Sequence, residues 1–267
     1  MDSLNQDSSS NKINKWLSSP DPSINLNEAK KKRYKGTGCW FLDSNKPFKE
    51  WKSGLRQCLW LHGIPGCGKT VLSSTIVEHL QLHQDESSST VLHFFFDFND
   101  AKKQSVDGFT RSLVGQLYLR CQASRKELDV LFSSCSDGCH QPTTESLFET
   151  FLRMLQYINC VQIVIDALDE CKARKELISW MERICAIKQA DVRLLATSRR
   201  EEELESGIGR WLNEENFISI QRELVDSDIR VYIRGTLHGD NDFLRWESKP
   251  DVLEEIEIKL VEKANGM

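Results

Sequence analysis

Eight consecutive residues, Gly63-Ile64-Pro65-Gly66-Cys67-Gly68-Lys69-Thr70, place glycine, lysine and a hydroxyl at the spacing G-x-x-x-x-G-K-[ST]. Each fixed position has a physical task. The glycines let the main chain curl so that several N–H groups face phosphate oxygens. Lys69 has the length to reach the β- and γ-phosphates, and the Thr70 hydroxyl can ligate Mg²⁺. The expected nucleotide-binding set is Gly63, Ile64, Pro65, Gly66, Cys67, Gly68, Lys69, Thr70 and Val71. A phosphate loop binds nucleotide without hydrolysing it, so acids are needed elsewhere. Ile165-Asp166-Ala167-Leu168-Asp169-Glu170 supplies them. An acid at the carboxyl end of a buried strand can hold the Mg²⁺ shell, which assigns the metal to Thr70 and Asp166. Glu170 is placed to orient or deprotonate an attacking water. Asp169 is its neighbour or an outer Mg²⁺ ligand. The same triplet could simply cap the next helix, and capping and catalysis can coexist. Arg199, at the tip of Val192 to Thr197, is either an arginine finger supplied in cis or a surface residue paired with Glu201 or Glu202.

The surrounding elements fit these tasks. Cys58 to Leu61 is an apolar run suited to a buried strand. Thr70 to Leu80 carries Val71, Leu72, Ile76, Val77 and Leu80 at helical spacing, which aims a positive helix end at the phosphates. Further strands are expected over Thr90–Phe96, Val161–Ile165, Val192–Thr197 and Phe217–Ile220. Helices are expected from Asp107, as a cap, through Leu119, from Thr144, as a cap, through Leu155, and from Arg174 to Ile187. Alternating strands and helices predict an α/β fold with a mainly parallel sheet covered on both faces. Two amphipathic helices follow, Leu224 to Leu237, capped by Asp226 or Asp228, and Asp251 to Ala264. The predicted division is a polar flexible tail over 1–20, a lead-in over 21–56, the nucleotide-binding domain over 57–222 and a partial helical domain over 223–267. Within the tail, Asn11 to Leu17 could form a short amphipathic helix. In the lead-in, a helix is expected over Leu26 to Tyr34. Trp40, Phe41, Phe48 and Trp51 read as packing residues before base-stacking ones.

The 267 residues carry a net charge of −5, which argues against a nucleic-acid partner. The basic run Lys30-Lys31-Lys32-Arg33 reads as a solvated helix face. No stretch of about 18 apolar residues predicts a membrane span, and residues 1–6 lack the apolar core of a secretory signal. Nine scattered cysteines without C-x-x-C pairs read as free thiols of a reducing, cytoplasmic setting. Cys135, Cys139 and His140 cluster, but a structural zinc site needs four ligands. Cys67 could block the loop when oxidised, or merely fit it.

Together these segments resemble the NACHT-type domains of fungal signalling NTPases, within the STAND class of P-loop ATPases. The resemblance rests on His62 to Ser74, Gly36-Thr37-Gly38-Cys39-Trp40 with Trp51, Ala167-Leu168-Asp169-Glu170 after Asp166, and Thr197-Ser198-Arg199. Asp228-Ile229 with Tyr232-Ile233, and Lys263 to Met267, extend it over roughly residues 33 to 267. The resemblance implies a five-stranded sheet with the Thr197 strand between the phosphate-loop strand and the acidic strand. It also implies ADP held at rest, ATP promoting assembly, and homo-oligomers or NLR-like effector partners acting in non-self recognition or cell death. The chain departs from that plan in its short N-terminal extension and in ending before a winged-helix region, as in a fragment or a short protein working with a partner. The functional expectation is Mg²⁺-dependent binding and slow hydrolysis of ATP as a switch. GTP is left open, although no [NT]-K-x-D guanine-reading sequence follows the sheet. The rivals are a nucleotide-holding scaffold without turnover and, further off, a small-molecule kinase.

Overall fold

The computed structural model describes residues 2–83, 89–220, 222–239, 243 and 250–264. Most of the polar loop expected over Asp85–Ser89, and the end of the Lys263–Met267 segment, lie outside these residues. Four helices come first: α1 (Asp2–Leu17), α2 (Ser23–Lys32), α3 (Cys39–Ser44) and α4 (Lys46–Ser53). Alternation then sets in with β1 (Cys58–His62), α5 (Lys69–Leu82), β2 (Thr90–Phe95), α6 (Val106–Arg120), α7 (Arg125–Ser134) and α8 (Thr144–Leu155). It continues with β3 (Cys160–Asp166), α9 (Arg174–Cys185), β4 (Asp191–Ser198), α10 (Glu202–Ile208) and β5 (Phe217–Ser219). Helices α11 (Arg222–Gly239) and α12 (Pro250–Ala264) close the described chain.

The five strands form one sheet in the order β2-β3-β4-β1-β5, and every pairing is parallel. Parallel pairing forces crossovers, and these put helices on both faces, so the strands must be apolar on both sides. Side chains alternate accordingly. Trp60, Leu92, Phe94, Ile163, Ile165 and Leu194 join a core with α6, α8 and α9. Leu59, Leu61, Val91, Phe95, Val164 and Leu195 join a second core with α4, α5 and the lead-in. Trp180 of α9 anchors the first core, with Phe109 at 4.6 Å, Phe148 at 5.5 Å and Phe151 at 5.7 Å between ring centroids. In the second, Phe41, Phe48 and Trp51 are fully buried. The Trp51 indole donates to the Leu194 carbonyl at 3.1 Å, which ties the lead-in to β4. Three of the four lead-in aromatics are therefore packing residues, and Trp40 is half-buried.

The structure differs from the sequence expectations at several ends. Residues 1–20 are not a tail throughout: α1 delivers Ile13, Trp16 and Leu17 into the first core. The helix expected from Asp107 is capped by Ser105, whose hydroxyl accepts from Gly108 N, while Asp107 pairs with Arg111 at 2.6 Å. Thr143 caps α8 in place of Thr144. Helix α11 begins before Asp226 and Asp228, so neither caps it. The Lys30–Arg33 run is only partly solvated, since Lys30 and Arg33 reach Glu78 at 3.7 and 2.6 Å.

Candidate nucleotide site

All the parallel strands end on one edge of the sheet, and the loops beyond β1, β3 and β4 converge there. This is where open α/β sheets bind ligands. The chain leaves β1 at His62 and curls through residues 63–68 before α5 begins. Gly66 and Gly68 adopt φ of +80° and +81°, a region that side-chain-bearing residues enter at a cost. Gly63 answers a different constraint: a Cβ there would stand 2.6 Å from the Cys67 sulfur. Cys67 is buried, so its thiol fills the inside of the curl. The Lys69 ammonium donates to the carbonyls of Gly63 and Ile64 at 2.9 and 2.7 Å, which holds it against its own loop. The first amides of α5 have no acceptor within the helix, and Gly68 offers no capping side chain.

Across from the loop stands Asp166, the last residue of β3, 2 % exposed. Its Oδ2 accepts from the Thr70 hydroxyl at 2.7 Å. Its Oδ1 accepts from two further hydroxyls, Ser73 of α5 and Thr197 of β4, each at 2.6 Å. Burial pushes the Asp166 carboxyl above the usual carboxylate range, while the three hydroxyls and the nearby Lys69 charge pull it back. Among the described residues no cation lies within ion-pair distance of Asp166. A buried carboxylate beside a threonine hydroxyl is a hard oxygen donor set, which fits Mg²⁺. Thr70 and Asp166 would hold the ion together with phosphate oxygens.

Asp169 and Glu170 lie on a single turn of 3₁₀ helix, Leu168–Glu170, entered through Ala167 at φ +58° and ψ +55°. Asp169 is tied to β4: its Oδ1 accepts from Arg199 N at 3.0 Å, and its Oδ2 meets Arg199 Nε at 3.1 Å. Arg199 thus pairs with Asp169, not with Glu201 or Glu202. Glu201 pairs with Arg174 at 2.7 Å. Glu170 Oε2 accepts from Phe98 N at 2.8 Å, and burial raises its carboxyl, with Asp169, Asp97 and Asp166 adding to the effect. A carboxylate raised in this way is a better proton acceptor.

Thr70, Asp166, Asp169, Glu170 and Arg199 border one cavity of about 280 Å³ with the phosphate loop. Most of the expected site residues are therefore brought together; of the rest, Gly63 and Ile64 do not border this cavity, Ile64 being exposed, and Cys67 is buried on its far side. A second cavity of about 540 Å³ opens on the other side of the loop, and Gly66, Gly68 and Val71 border both. Its remaining walls are mostly apolar and aromatic, including Tyr34, Trp40, Leu72, Ile229, Tyr232 and Leu260. The α11 helix is fixed over it by Asp228, whose Oδ2 accepts from Gly38 N at 2.8 Å and Trp40 Nε1 at 3.0 Å. Residues missed by sequence reasoning are of two kinds. Ser73 stands one helical turn beyond Thr70, so spacing alone puts both hydroxyls on the same face. The second cavity's walls come from segments about 190 residues apart, and no local pattern announces them.

Two comparisons bear on this site. The family model described as Nephrocystin 3, N-terminal, matches residues 36–199. Vegetative incompatibility protein HET-E-1 of Podospora anserina is 26% identical over 226 residues, covering 78% of this chain and 16% of that protein. The chain therefore spans about a sixth of the length of the relative it matches. Both findings uphold the resemblance to fungal NACHT-type proteins, and the five-stranded sheet with β4 between β1 and β3 has the arrangement that resemblance implies. With more than half of its length matched, the chain belongs to the Nephrocystin 3 N-terminal family.

Proposed function

We propose that this member of the Nephrocystin 3 N-terminal family is a Mg²⁺-dependent nucleoside-triphosphate switch, with ATP as the preferred nucleotide. One observation carries the reading. Two adjoining cavities of matched character share the phosphate loop, a polar one with Lys69, Thr70 and Asp166 and an apolar one of about 540 Å³. A nucleoside triphosphate has the same two-part chemistry, a charged polyphosphate and a flat apolar base. Lys69 and the α5 amides would exchange loop carbonyls for phosphate oxygens. Mg²⁺, bound through Thr70 and Asp166, would neutralise the charge that builds on the phosphates. Glu170, raised by burial and held by Phe98 N, would orient the attacking water and accept its proton. Arg199 would serve through Asp169, keeping that acid beside Glu170, and could turn towards the phosphates.

The name of the Podospora relative, a vegetative incompatibility protein, supports placing the switch in non-self recognition, and the NACHT-type resemblance supports self-association or an NLR-like effector partner as its output. No described helix is long and apolar enough to cross a membrane. The nine cysteines are all free thiols, which supports the cytoplasm as the setting.

The test is to denature the purified protein and identify released nucleotide by chromatography, then follow phosphate release from Mg-ATP. Near-stoichiometric ADP is expected, and Glu170→Gln should slow phosphate release by roughly 10²-fold or more. Basal release that is equally undetectable in parent and variant would transfer the protein to the second reading, a nucleotide-holding scaffold.

A further inference from the structure

We infer that Ser73 and Thr197 are positioning residues for the magnesium-binding carboxylate, an inference that rests on the nucleotide reading above. An ionised carboxylate accepts hydrogen bonds only, through two oxygens. In Asp166 those oxygens are treated unequally. Among the described residues Oδ1 takes both Ser73 Oγ and Thr197 Oγ1 at 2.6 Å, whereas Oδ2 takes only Thr70 Oγ1 at 2.7 Å. Two donors from different elements, α5 and β4, fix the carboxylate plane and leave the oxygen beside Thr70 with capacity for a cation. Ser73 and Thr197 are both fully buried, so neither hydroxyl is there for solvent.

Thr197 does more than Ser73. Its Oγ1 also accepts from Ala167 N at 3.3 Å. Ala167 is a non-glycine residue in the left-handed region, a conformation that persists only where its surroundings hold it. The turn it opens is closed by Glu170 N donating to the Ala167 carbonyl at 2.9 Å. A single hydroxyl on β4 therefore sets the metal carboxylate and the start of the turn that carries Asp169 and Glu170. Groups that orient a metal ligand commonly change metal affinity by about 10–100-fold when removed.

The experiment measures the Mg²⁺ concentration that half-saturates binding of a non-hydrolysable ATP analogue, and the analogue's affinity in EDTA. It is run on the parent, Ser73→Ala, Thr197→Val, Thr197→Ser and Thr70→Ala. Ser73→Ala and Thr197→Val should each raise the Mg²⁺ midpoint about 10-fold or more while leaving affinity in EDTA near the parent value. Thr197→Ser, which restores the hydroxyl, should return the midpoint towards the parent. Amides 167–171 should exchange faster in Thr197→Val but not in Ser73→Ala. If Thr197→Val does not fold, Ser73→Ala and Thr197→Ser still decide the case. Unchanged midpoints beside a shifted Thr70→Ala would overturn the positioning role alone. Loss of affinity in EDTA and Mg²⁺ alike would reduce both residues to packing. A parent that binds no analogue would instead remove the nucleotide reading.

Discussion

At the scale of single residues, the phosphate loop is governed by steric and charge constraints that can be tested one at a time. A methyl group at residue 63 would collide with the Cys67 sulfur, while a Cβ at residue 68 would meet nothing within 4 Å and suffer only from its φ of +81°. Gly68→Ala should therefore cost about 1–2 kcal/mol of conformational strain whatever its neighbours. Gly63→Ala should be relieved in part by Cys67→Ala. A thermal-unfolding double-mutant cycle checks this, with a coupling of about 0.5 kcal/mol or more expected for the 63/67 pair. Strict additivity would contradict it. His93 supplies a pH test away from the site. It is 3 % exposed, neither ring nitrogen has a hydrogen-bond partner among the described residues, and burial lowers it from 6.5 to about 4. The folded state thus excludes a proton that the unfolded chain takes up. The contribution to stability is complete above about pH 6.5 and is lost as the pH falls towards 4, with a span of about 3 kcal/mol. Urea unfolding of the parent and of His93→Leu should show stabilities whose difference changes over that window; parallel curves would refute the assignment.

At the scale of elements, the five strands and helices α5, α6, α8 and α9 were legible, whereas α3, α4, α7 and α10 were not read from the sequence, and the remaining differences have physical causes. Runs such as Val161–Ile165 and Val192–Thr197 are apolar because both sheet faces are covered, so position and type followed from composition alone. The place of β4 between β1 and β3 came with the family resemblance, while the edge positions of β2 and β5 are the structure's own. Helix ends were less legible, because Ser105 and Asp107, or Thr143 and Thr144, are equally able to cap, and only the backbone path chooses between them. Helix α1 carries few apolar residues, and Ile13, Trp16 and Leu17 gain their meaning from a core contributed by distant strands and helices, through residues such as Trp60, Phe109 and Leu113. Asp228 was expected as a cap because it precedes an apolar stripe, yet it serves the lead-in. It joins α11 to Gly38 and Trp40, while α11 and α12 share a small core of their own around Ile233, Leu237, Leu253 and Val261. Asp228→Ala should strand the Trp40 indole and the Gly38 amide at a cost of about 1–2 kcal/mol. Hydrogen exchange should quicken over α11 with the sheet amides unchanged. Uniform exchange across the protein, or none gained in α11, would show that the helix is held by other contacts.

At the scale of the whole molecule, the chain organises itself around one edge of a parallel sheet. There β1 contributes the loop, β3 the acids and β4 the side chains that hold those acids in register. The sequence was informative about that edge because its residues are contiguous, 63–71 and 166–170. It was uninformative about the apolar cavity beside it, whose walls join Tyr34 and Trp40 to Ile229, Tyr232 and Leu260. On the proposed function these two halves form one nucleotide site in which Lys69 and the loop amides grip the polyphosphate. Calorimetric titration of the full chain with Mg-ATP tests it most directly, using Lys69→Ala as the comparison. One nucleotide bound per chain, with affinity falling about 10–100-fold in the variant, is the result predicted for loss of a charge-assisted contact. Equal heats and equal affinity in the two proteins would contradict it.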